Sequence, residues 1–77
     1  MISAFVLIQA GVGKSSVVGR AVAEIDHVKA AYIVTGPYDV IAEAEAEDVD
    51  ELGRLVVARI QGVEGVMRTL TCPVIHV

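Results

Sequence analysis

The sequence predicts an α+β fold of the ferredoxin-like kind, βαββαβ, with a four-stranded antiparallel sheet carrying both helices on one face. Three observations lead there. Two segments repeat apolar residues at helical spacing, and each follows an extended, β-branched segment. Between them, two further extended segments flank a Gly36-Pro37 dipeptide, which is the pattern of a hairpin. No linker, long repeat or low-complexity tract interrupts the 77 residues, so residues 1–77 are read as one domain.

Residues 2–10, ISAFVLIQA, are apolar on both alternations: Ile2, Ala4, Val6 and Ile8 on one side, Phe5 and Leu7 on the other. That pattern predicts a central strand covered on two faces. From Ser15 or Ser16, either a suitable N-cap, the residues Val17, Val18, Ala21, Val22 and Ile25 form one helical stripe that ends near Asp26. Residues 27–35 and 38–47 are the two hairpin strands. Pairing Thr35 with Tyr38 sets Ile33 opposite Val40 and Ala31 opposite Ala42, giving one side of mostly small residues that lets helices approach closely. The other side carries Tyr32, Val34, Asp39, Ile41, Glu43 and Glu45, a mixed apolar and acidic face that suits a partner better than a dry core.

Asp48 with Glu51 three residues later makes a capping-box-like start. Leu52, Leu55, Val56 and Ile60 then give a second helical stripe, closed by Gly62. After Gly65 the chain runs VMRTLTCPVIHV, a β-branched last strand in which Pro73 marks an edge position or a bulge. With both helices on one face, either Phe5 and Leu7 or the set Ile2, Ala4, Val6 and Ile8 must point to the uncovered face. A second subunit is a better cover for such residues than water.

Composition narrows the function. The chain is 55% hydrophobic, which excludes disorder, and its net charge of -4 provides no general attraction to phosphate backbones or anionic lipid. Autonomous nucleic-acid binding is therefore not expected. The longest apolar run, Ala4 to Ile8, falls far short of the roughly 20 residues that span a bilayer, and no basic segment precedes it. A cytoplasmic protein with no membrane contact is expected. Cys72 is the single cysteine, read as a small buried hydrophobe, so one chain builds neither a disulfide nor a Cys-x-x-Cys site.

The stretch GVGKSS at residues 11–16 invites comparison with a phosphate-binding loop. Such a loop needs G-x-x-x-x-G-K-[ST], and the first glycine would fall on Ile8, inside the strand. A dinucleotide fingerprint fails too, because Gly11-x-Gly13 is followed by Ser16 where Gly or Ala is required. The stretch reads as a turn and helix start, and no cofactor is expected. His27 and His76 lack neighbours at metal-site spacing, so no metal is expected. Ser15 or Ser16 with His27 and Asp39 could be grouped as a triad, but no nucleophile elbow surrounds the serines and no catalytic residue is assigned. Glu43, Glu45 and Glu47 form a solvated face, or one met by Lys29, Arg68 or a partner's cations. Other uses of this fold ask for basic and aromatic strand motifs, paired cysteines or an asparagine, none of which the chain supplies. A binding or assembly module remains.

The segment IVTGPYDVIAEAEAEDVDELGRLV followed by IQGVEGVMRTLTCPVI resembles the effector-binding (RAM) domain of the Lrp/AsnC, or feast/famine, transcriptional regulators. The resemblance rests on the T-G-x-Y-D hairpin at Thr35, Gly36, Tyr38 and Asp39, and on Gly65-Val66-x-x-Thr69-x-Thr71 leading into the last strand. It extends from Ile2 to Val77. It implies domains paired through their sheets, dimers joined into rings such as octamers, and an amino acid bound where subunits meet. By the same resemblance Thr35, Gly36, Tyr38, Asp39, Thr69, Thr71 and Cys72 are the expected ligand-binding residues. Full-length members carry an N-terminal helix-turn-helix, whereas here Met1 is followed at once by the first strand. A stand-alone domain that modulates transcription without binding DNA, joining full-length regulators in mixed oligomers, is the expectation. A dimeric small-molecule enzyme and a purely structural assembly module are the alternatives.

Overall fold

The computed structural model describes residues 1–76. Strand β1 (Ile2–Ala10) leads through a glycine turn into α1 (Ser15–Ala23), followed by β2 (Val28–Ile33) and β3 (Val40–Ala46). Helix α2 (Val49–Arg54) runs into a π-helical segment (Leu55–Ile60), and β4 (Val66–Pro73) closes the order. This is the predicted βαββαβ plan. The sheet order is β2-β3-β1-β4 with every neighbouring pair antiparallel, so β1 is central as its apolar composition requires.

Alternation fixes the core. On β1, Ala4, Val6 and Ile8 are fully buried, and on β3 they lie opposite Ala44, Ala42 and Val40, which are equally buried. Val18 and Val22 from α1, with Leu52, Leu55, Val56 and Ile60 from the second helical stretch, cover them. Phe5 and Leu7 therefore take the uncovered face, one of the two arrangements the sequence allowed. On that face Tyr32, Ile41, Leu7 and Leu70 pair in succession and draw one apolar row across all the strands. Tyr32 is 54% and Leu70 48% exposed, so in one chain this row is unpartnered.

Several local expectations change. Neither Ser15 nor Ser16 caps α1: Lys14 holds the N-cap position and makes no side-chain cap bond. The cause is the tight turn before it, in which Gly13 sits at φ 74° and the Lys14 N–H donates to the Gly11 carbonyl. The helix also stops at Ala23 instead of near Asp26, its end tightened by the N–H groups of Glu24 and Ile25 donating to Ala21 and Val22. What positions α1 is close contact. A Cβ on Gly19 would lie 2.9 Å from Cγ1 of Ile33, so glycine lets the helix rest on β2.

The hairpin register is the expected one, Ile33 opposite Val40 and Ala31 opposite Ala42. Its closing bond, however, is the Val34 N–H to the Asp39 carbonyl, and Thr35 to Tyr38 form the loop instead of pairing. The capping box on α2 forms: Asp48 Oδ1 accepts from the Glu51 N–H at 2.8 Å, and Glu51 Oε1 accepts from the Glu47 N–H at 3.0 Å. Past Arg54 the helix widens, and the Gln61 N–H donates to Val56, five residues back. Apolar spacing alone does not separate this π geometry from an ordinary helix. Strand β4 lies at the sheet edge with Pro73 at its end, while the bulges fall at Gln9/Ala10 and at Val28/Ala30. Cys72 corrects another expectation, for it pairs with Phe5 on the uncovered face and is exposed, not buried. Among the described residues, no helix is long and apolar enough to cross a membrane.

Candidate functional site: a cleft between the second helix and the edge strand

Directly opposed residues of an antiparallel pair project to the same face. Thr69 lies opposite Ile8 and Thr71 opposite Val6, so both threonines project to the helix-bearing side although β4 is an edge strand. The helix does not close completely over that edge. A cleft of about 390 Å³ remains, floored by Thr69, Thr71 and Pro73 of β4. Its other wall is Val49, Leu52 and Gly53 of α2, then Val56 and Val57 of the π segment, ending at Gln61. None of these nine lining residues carries an ionisable side chain.

The polar corner of the cleft is organised. Gln61 Nε2 donates to Thr69 Oγ1 at 2.8 Å, a bond that spans from the end of the π segment to the strand. Because the Thr69 oxygen accepts from the amide, the hydroxyl hydrogen of Thr69 is left to donate elsewhere. Thr71 adds a second hydroxyl two residues along the same side of the strand. The cleft thus offers an apolar wall facing a pair of hydroxyls.

The hairpin residues lie elsewhere in the chain. Thr35 and Gly36 are exposed at the loop, Tyr38 and Asp39 half-buried. Gly36 sits at φ 140°, a conformation that only glycine adopts freely, so the loop shape depends on it. Asp39 ties the loop to β1: its Oδ2 accepts from the Ala10 N–H at 2.8 Å and its own N–H donates to the Ile8 carbonyl at 2.9 Å. The Gln9 amide adds a bond to the Pro37 carbonyl at 3.2 Å. Asp39 and Thr69 therefore flank Ile8 from opposite sides of β1, and that strand keeps them apart within one chain. Thr69 and Thr71 come together. The hairpin set and Cys72 do not join them, Cys72 because it faces away.

Gln61, Gly53, Val56 and Val57 of the cleft were not expected as site residues. Gln61 stands just before the helix-closing Gly62, and Gly53 is a glycine inside a helix; both are weak signals, and only packing makes them a wall. The turn at residues 11–14 is occupied by its own bonds, the Gly11 N–H donating to Gly65 and the Lys14 N–H to Gly11. Its glycine geometry serves the turn, as the sequence indicated.

A model of the Lrp/AsnC ligand binding domain matches residues 3–77. The chain belongs to the Lrp/AsnC ligand-binding domain family. TTHA0845 from Thermus thermophilus superposes on this Lrp/AsnC domain with a TM-score of 0.92 at 42% identity, covering 100% of this chain and 96% of that one. The hypothetical protein PHS023 from Pyrococcus horikoshii gives a TM-score of 0.89 at 29% identity, over 99% of this chain and 92% of that one. The feast or famine regulatory protein Rv3291c from M. tuberculosis, solved with L-methionine, shares the fold at a TM-score of 0.84 and 22% identity. The Lrp/AsnC domain is covered completely in that comparison and spans 52% of the M. tuberculosis chain. No curated protein matches significantly.

Proposed function

We propose that this Lrp/AsnC domain senses an amino acid and modulates transcription through its own assembly, binding the ligand without transforming it. The observation that carries the reading is the cleft that holds Thr69 and Thr71 on a domain whose family is defined by ligand binding. The L-methionine of the M. tuberculosis relative supports the ligand class. A zwitterionic ligand needs donors for its carboxylate and an anionic partner for its ammonium. The Thr69 and Thr71 hydroxyls supply the former. The cleft has no charged group for the latter, and Asp39 is held on the far side of β1.

A neighbouring copy resolves this, its hairpin bringing Thr35, Gly36, Tyr38 and Asp39 to the cleft. The ligand then bridges two copies, and binding favours the assembled state by mass action. The apolar row of Tyr32, Ile41, Leu7 and Leu70 supports a dimer formed sheet to sheet, with Cys72 inside it. Dimers joined through the hairpins give a ring, into which a full-length DNA-binding regulator could be incorporated. The net charge of -4 favours action through such a partner over direct DNA contact in the cytoplasm.

Titration calorimetry against the amino acids, with sedimentation in parallel, tests the reading. Binding is expected to raise the assembled fraction, and Thr69→Val with Thr71→Val to remove it. Asp39→Asn keeps an oxygen for the Ala10 N–H while deleting the charge, so it separates ligand contact from loop support. An assembly that forms identically with every amino acid, none of them bound, would leave a structural module instead of a sensor.

A further inference from the structure

We infer that the effector of this chain carries an uncharged, apolar side chain, seated over Gly53 of the second helix, with Gly53 as the position that sets specificity. This rests on the amino-acid site proposed above and adds the ligand's chemical class. A glycine inside a helix costs stability, so one that persists needs a reason. Elsewhere in the chain the reason is visible: a Cβ on Gly19 would press on Ile33, and Gly65 sits at φ 100° with Val18 Cγ2 at 2.9 Å from a built Cβ. Gly53 has neither. It is helical, and a Cβ built there meets no atom within 4 Å. The space it leaves open is the cleft itself, which it lines with Val49, Val56 and Val57.

The surroundings define what that space accepts. The hydroxyls and the Gln61 amide lie at the strand side and the helix end, and the wall facing Gly53 has only aliphatic carbon. A ligand side chain placed there loses water and gains no charged partner, which penalises Asp, Glu, Lys and Arg. Methionine, leucine, isoleucine or valine gain burial instead. Among these, length is limited by the wall that Gly53 recesses, so enlarging residue 53 fills the ligand's place and not a void in the core.

The experiment is calorimetric titration of the full chain with L-methionine, L-leucine, L-aspartate, L-glutamate, L-lysine and L-arginine, repeated on Gly53→Ala and Gly53→Leu. The apolar amino acids are expected to bind roughly tenfold or more tightly than the charged ones, a discrimination typical of a shaped apolar pocket. Gly53→Leu should weaken methionine binding by about tenfold or more, and Gly53→Ala by less. Thermal unfolding of both variants should be unchanged or raised, since a helical glycine is being replaced in open space. A charged amino acid bound preferentially, and lost in the Thr69→Val, Thr71→Val variant, overturns the inferred class while leaving the site standing. Apolar binding that Gly53→Leu leaves intact overturns the assignment of Gly53. No amino acid bound at all removes the underlying site and this inference with it.

Discussion

Strand β3 presents two chemistries on one backbone. Val40, Ala42, Ala44 and Ala46 are at most 2% exposed beneath the helices, while Ile41, Glu43 and Glu45 stay half-open on the other face. The covered face uses small side chains so that α1 and α2 lie close to the sheet. The open face combines an apolar row with carboxylates, a surface that cannot collapse into a monomer core because its charges keep their water. The contrast teaches that stability and recognition are divided between the faces: one holds the chain together, the other is available to a second copy. The cleft at β4 arises at the border, where helix coverage runs out.

Substitutions can break or sharpen that division. The largest effect is expected from Ile60→Ala, since Ile60 is fully buried on the covered face. It should cost about 2–5 kcal/mol in denaturant unfolding and lower the melting temperature sharply. Gly65→Ala comes next, because residue 65 has φ 100° and a new Cβ would meet Val18 Cγ2 at 2.9 Å. A loss of about 1–3 kcal/mol is expected by the same measurement. Asp48→Ala removes the carboxylate that receives the Glu51 N–H and should cost about 1 kcal/mol, read by thermal unfolding.

On the open face the expected cost to the single chain is smaller still. Leu70→Ser should change its unfolding free energy by roughly 0.5 kcal/mol or less, yet weaken self-association in sedimentation. A stability loss as large as that of Ile60→Ala would erase the distinction between the faces. The smallest effect belongs to Lys29→Met, which breaks a 3.5 Å ion pair to Glu45 whose side chains are 51% and 34% exposed. A change of about 0.5 kcal/mol or less is expected, reduced further by salt.

Most of the fold was legible because the signals are short-range. The β1 span, the hairpin register and the Asp48–Glu51 cap each depend on residues within a few positions of one another. The α1 start was misread for the same reason, since Ser15 and Ser16 are good caps locally, but the Gly11–Lys14 turn places Lys14 at that position. Cys72 was misread because burial of one small residue depends on which face it takes, and pairing with Phe5 settles that. Of the candidate site, Thr69 and Thr71 were legible as a pair through their spacing of two. Gln61 and the helix wall were not, because they lie across a gap that only helix placement creates.

Taken alone, the sequence determined the order of strands and helices, the apolar stripe of each helix and the hairpin register, because period and turn chemistry act locally along the chain. Tertiary structure decided which alternation of β1 meets the helices, that Thr69 and Thr71 share a cleft while Cys72 faces away, and that β1 divides the hairpin from that cleft. Those outcomes depend on how elements distant in sequence fill space against one another, and a gap left by incomplete coverage has no local pattern to announce it.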